Sequence, residues 1–128
     1  MRLSSTGAIE YPIGLEACPK EFVTMPWPHR WWLKSEIRLL SEPDVRAVVF
    51  DLFCVALCQN PIGTLPNNER LLVRLTGLPL EDWRRLMARP ITPLHGWETC
   101  ICGDEGIRLY HPMSLEIAKE ASNAKGTT

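Results

Sequence analysis

The clearest periodicity in the chain lies in "SEPDVRAVVFDLFCVALCQ". Here Val45, Val48, Val49, Leu52, Phe53, Ala56 and Leu57 recur at helical spacing and form a broad apolar stripe. Ser41 is placed as the cap, with Pro43 in the first turn, Asp44 three residues after the cap, and Asn60-Pro61 and Gly63 as the stop. This pattern predicts the central core helix. "NPIGTLPNNERLLVRLTG" predicts a loop and then a second helix, started by Pro66 and Asn67 or Asn68 and stopped at Gly77. "LPLEDWRRLMARP" predicts a third helix, with Pro79 in its first turn and Pro90 as the stop. "GWETCICGDEGIRLYHP" alternates on both sides of Gly103-Asp104-Glu105-Gly106 and predicts a β-hairpin with a four-residue loop. A short last helix, capped by Ser114, runs through "SLEIAKEASNAK" into a polar tail.

The region before the core helix is harder to read. Pro12, Pro19, Pro26 and Pro28 exclude a regular helix, because each removes a donor and constrains the residue before it. An extended arm with a short strand at "EFVTM" fits, and "RWWLKSEIRLL" fits either a strand or a short helix. The expected organisation is an arm over residues 1–30, a folded domain over 31–122 and a flexible tail over 123–128.

Gly77 decides how the second and third helices relate. A glycine ends a helix by accepting the left-handed conformation, and Pro79 restarts one at once, so the two helices meet at a sharp corner. With Glu69 as the first residue of a helix-turn-helix unit, Leu72, Leu78, Trp83 and Leu86 fall where the unit needs buried residues, and Val73 is small enough for a helix crossing. A hairpin directly after the third helix makes the expected fold α+β, mainly α: a winged helix-turn-helix of three helices, a β-hairpin wing and a short C-terminal helix, with an extended N-terminal arm.

The stretch "WPHRWWLKSEIRLLSEPDVRAVVFDLFCVALCQNPIGTLPNNERLLVRLTGLPLEDWRRLMARP" together with "GWETCICGDEGIRLYHP" resembles a phage- and prophage-encoded winged-helix family, found alone or as N-terminal domains of replication-initiator-like proteins. The shared features are Trp31 or Trp32 before the long apolar helix, the Leu40-Ser41-Glu42 step, and "GTLPNNERLLVRLTG", which resembles that family's "G-x-LP…LA…G", followed by a helix carrying Trp83. The resemblance runs from Trp27 to Pro112 and departs at Val73, where alanine is more usual. It implies a winged-helix fold and a role in mobile-element DNA transactions, and supplies no catalytic residues.

Charge changes this picture only locally. The whole chain of 128 residues has a net charge of −1, so nothing global points to nucleic acid. From Asn60 to His95, however, Arg70, Arg74, Arg84, Arg85 and Arg89 face only Glu69, Glu81 and Asp82, whereas from Gly96 onward five acids outnumber Arg108, Lys119 and Lys125. Arg84, Arg85 and Arg89 are placed to reach phosphates or guanine edges, and Arg70 and Arg74 suit backbone contacts. With Arg108 on the hairpin, these are the expected DNA-binding residues, and double-stranded DNA is the expected partner. Pro79, Leu80 and Glu81 are poor base-readers.

A second reading from another class is an adaptor that uses the same fold and a tryptophan-rich arm, with Trp27, Trp31 and Trp32, to bind a replication or transcription protein. It predicts an exposed apolar patch around Trp27, Trp31 or the arm. No enzyme is expected. His29, His95 and His111 are scattered without a nucleophile-base-orienter spacing, and "NPIGTLP" lacks the lysine and the strand-to-helix context of a phosphate loop. No cofactor or metal is expected either. Cys54 and Cys58 lie one helical turn apart beside the core stripe, unlike the loop cysteines of structural zinc, and Cys100 and Cys102 share one face of a strand. Cys18 lies in the arm and has no role. No apolar run reaches a membrane span and no signal pattern opens the chain, so a cytoplasmic location with reduced thiols is the default.

Overall fold

Val45, Val49, Leu52, Phe53 and Ala56 are completely buried along one face of the helix Pro43–Leu57. The computed structural model describes residues 8–15 and 24–126. In chain order its elements are β1 (Ile9–Glu10), α1 (His29–Lys34), α2 (Glu36–Leu40), α3 (Pro43–Leu57), β2 (Thr64–Pro66), α4 (Glu69–Thr76), α5 (Leu80–Met87), β3 (Glu98–Ile101), β4 (Ile107–Tyr110) and α6 (Pro112–Gly126). The fold is α+β and about half helical, with a small four-stranded sheet. The strand order is β1-β3-β4-β2, antiparallel except for β1 on β3.

Several sequence expectations meet a different local structure. "TLP", expected as loop, is β2, and it pairs with β4 so that Leu65 faces Leu109. The part of the arm that is described is not a free extension. Ile9 pairs with Cys100, and the buried Tyr11 hydroxyl donates to Ile62 O at 2.8 Å. The strand expected at "EFVTM" falls largely outside the described residues. "RWWLKSEIRLL" forms two short helices, α1 and α2, broken at Ser35, whose hydroxyl accepts from Arg38 N–H.

Two expected caps are also displaced. Ser41 closes α2, its N–H donating to Ile37 O at 3.1 Å, while Glu42 takes the N-cap of α3 without a side-chain cap bond. Asp44 instead accepts the Val45 N–H at 2.9 Å. Helix α6 begins two residues before Ser114. His111 Nδ1 accepts from Met113 N–H at 2.9 Å and Ser114 Oγ accepts from His111 N–H at 3.0 Å. This is a reciprocal capping box with histidine in the cap position and Pro112 in the first turn.

His111 is buried in an aromatic cluster, its ring centroid 5.2 Å from Phe53, 5.6 Å from Trp31 and 5.8 Å from Trp97. Burial, and secondarily the charge on His95, lowers its pKa from 6.5 to about 4. Because Nδ1 accepts the capping bond, protonation there would break the cap as well as bury a charge. In the folded state this group binds fewer protons than in the unfolded chain between pH 6.5 and 4. Its stabilising effect is therefore complete above about pH 6.5 and is lost as pH falls towards 4, by on the order of 3 kcal/mol in full. His111→Asn keeps a capping side chain without a titrating ring. Thermal melts at pH 7 and pH 5 are expected to differ less for this variant than for the parent. An equal acid sensitivity would place the lost stability on other groups.

Candidate nucleic-acid interface

The corner between α4 and α5 is built locally. Asn68 Oδ1 accepts from Leu71 N–H at 3.1 Å and caps α4. Gly77, with φ at 74°, ends it in the left-handed conformation, its N–H bonded to Val73 O at 3.0 Å. Pro79 stands as the N-cap of α5 rather than inside its first turn. Leu72, Trp83 and Leu86 point into the core as expected, while Leu78 is half-buried against it.

That register turns Arg84 and Arg85 outward, with side chains 63% and 66% exposed. Each already has a carboxylate partner. Arg84 Nη2 donates to Glu69 Oε1 at 3.0 Å, tying the start of α4 to α5, and Arg85 pairs with Asp82 one turn back. Exposed pairs of this kind are worth about 0–1 kcal/mol, so the guanidinium groups exchange readily to another anion.

Arg89 and Arg108 are placed differently from Arg84 and Arg85. Arg89 turns back onto the start of α3. It donates through Nη1 to Glu42 Oε2 at 2.8 Å and through Nη2 to Asp44 Oδ2 at 2.9 Å. These hydrogen bonds hold the Asp44 carboxyl below its usual range. Arg89 is thus a fastener between the end of α5 and the start of α3, where acids also complement the helix dipole. Arg108 is a strut behind the sheet, with Nε donating to Thr64 Oγ1 and Nη2 to Gln59 Oε1, each at 2.9 Å. Arg70 and Arg74 are exposed on α4 and pair with no described carboxylate. The six arginines therefore do not form one surface. The tip of the hairpin adds no positive charge, since it carries the exposed Asp104 and Glu105.

The signals for these differences are uneven. The Asp82-Arg85 pair follows from i,i+3 spacing on a helix. The Arg89-Asp44 pair has no local signature, because its members meet only when α5 packs on α3.

The described cysteines divide between two places, and Cys18 lies outside the described residues. Cys58 is exposed at the end of α3 and not beside the core stripe, and Cys54 is half-buried. Cys100 and Cys102 are buried with their sulfurs 3.8 Å apart, and the hydrogen bond between them together with burial pushes the Cys100 thiol up. Among the described residues no three His, Cys, Asp or Glu side chains gather as metal ligands. No helix of the described residues is long and apolar enough to cross a membrane.

Compared with family models, curated proteins and solved structures, the chain matches none.

Proposed function

We propose that this protein is a winged-helix module that binds duplex DNA through the outer face of α5. The chain order supports this reading: helix α3, strand β2, helices α4 and α5 around a glycine corner, then the β3–β4 hairpin with β2 as its third strand. The observation that carries it is the pair Arg84 and Arg85, side by side and outward on the helix after the corner, held only by exposed carboxylates. Arg89, held by two carboxylates at the start of α3, and Arg108, bonded to Thr64 and Gln59, take no part. The acidic hairpin tip confines the contact to the helix. Such a module acts without catalysis or cofactor, in the cytoplasm, and its resemblance to initiator-like phage proteins favours replication initiation or transcriptional control of a mobile element.

Arg84→Ala with Arg85→Ala is expected to melt like the parent yet bind duplex DNA about tenfold or more weakly, given ~1–3 kcal/mol for each base-reading contact. A loss uniform across sequences, with a shallower salt dependence, identifies phosphate contacts; a loss at one preferred site identifies base readout. Equal affinity of variant and parent would remove α5 from the interface.

The adaptor reading has one observation in its favour. Phe50 is exposed and meets Trp27 edge to face with centroids 5.0 Å apart. Trp27 and Trp31 themselves are half-buried and pack on the core.

A further inference from the structure

Helix α4 carries an apolar surface that the core does not use. Leu72 is its buried residue, while Leu71 and Leu75 stand 47% and 38% exposed, and Leu80 beyond the corner is 41% exposed. Leu71, Leu78 and Leu80 line an open groove of about 750 Å³ along α4 and the corner, with Arg70 and Arg74 also in its wall. No residue of α5 after Leu80 lines it.

The charges beside this floor set it apart. Arg70 and Arg74 are one helical turn apart, and neither pairs with a described residue, whereas Arg84, Arg85 and Arg89 each hold a carboxylate and Arg108 two side-chain oxygens. Two uncompensated guanidinium groups call for carboxylates, and the leucines that line the same groove call for apolar side chains. A phosphate backbone satisfies only the first need, since it offers nothing to desolvate the leucines. An amphipathic helix satisfies both, with leucine-type residues at i and i+4 and acidic residues on the flank. From this complementarity we infer that the α4 groove docks an acidic amphipathic helix of a partner protein, its apolar side chains on Leu71, Leu78 and Leu80 and its carboxylates on Arg70 and Arg74. This surface goes beyond the DNA reading and does not depend on it.

The test uses three fluorescent helical peptides of about 16 residues, long enough to hold a helix when stapled. One has leucines at i and i+4 flanked by glutamates, the second has lysines for the glutamates, and the third has serines for the leucines. Against the full chain, the glutamate-leucine peptide is expected to bind at least about tenfold more tightly than either control, a difference of about 1.4 kcal/mol. Amide shifts should be confined to residues 68–80. Arg70→Glu with Arg74→Glu should invert the preference towards the lysine peptide, Arg70→Gln with Arg74→Gln should abolish it, and Arg84→Ala with Arg85→Ala should leave it intact. Equal binding of the glutamate and lysine peptides, or none of either, overturns the proposal. So do shifts at residues 68–80 that appear with duplex DNA instead of peptide, or with rising protein concentration alone, which would assign the groove to DNA or to a second copy.

Discussion

Trp83→Ala is expected to lower stability by about 3–5 kcal/mol, the usual cost of deleting a buried tryptophan and leaving its cavity. Trp83 is 2% exposed and belongs to the main core, in which residues of α3, α4 and α5 join others from the sheet and α6, Leu72 and Leu86 among them. The core around it is close-packed, so neighbouring helices cannot collapse far into the space. For a domain of this size the loss corresponds to a fall in melting temperature on the order of 10–20 °C. Leu75→Ala, on the outer face of α4, serves as the control and should stay within about 0.5 kcal/mol of the parent. A melt of Trp83→Ala that overlays the parent would mean that α5 is rotated about its axis, and the outward assignment of Arg84 and Arg85 would fall with it.

Gly63→Ala is expected to destabilise the fold by about 3 kcal/mol or more through backbone strain and overpacking together. Gly63 has φ at 90°, a conformation that an L side chain rarely adopts. A carbon added there would overlap the Tyr11 hydroxyl oxygen and lie 2.9 Å from Ala118 Cβ and 3.1 Å from the Ser114 carbonyl oxygen. Around Gly63 the start of β2, the arm and α6 converge. Its N–H bonds Ala56 O at 2.8 Å and its carbonyl accepts from Ser114 Oγ at 2.8 Å. Tyr11→Phe removes the nearest of the three obstructing atoms. Denaturant unfolding of the double variant should therefore show that Tyr11→Phe costs less in the Gly63→Ala background than in the parent. Strict additivity would show that the tyrosine hydroxyl is not what the new methyl group meets.

The parts of the structure that were legible in the sequence are those fixed by contacts close along the chain. The stripe of α3, the Asn68 cap, the Gly77 corner, the inward Leu72, Trp83 and Leu86, and the hairpin around Gly103–Gly106 each have a local cause. Strand β2 has three residues and one of them is Pro66, so it carries no alternation to read and exists because β4 offers it a partner. Strand β1, two residues long, exists because β3 has a free edge. His111 caps α6 because its ring nitrogen is held in place by the aromatic cluster, a circumstance that only the assembled core creates. The candidate arginines were legible as a count and not as a surface. Their number suggested one basic face, but Arg89 and Arg108 spend their charge on residues more than forty positions away.

The central claim is that this near-neutral chain contacts duplex DNA through two arginines on α5. The direct measurement is a titration of the parent protein into labelled random-sequence duplex at about 50 mM and about 200 mM salt. With Arg84 and Arg85 each displacing one counterion, saturable binding is expected at the lower salt and an affinity about tenfold weaker at the higher. Absence of binding at the lower salt would contradict the claim and leave the protein-docking surfaces as the function of the fold.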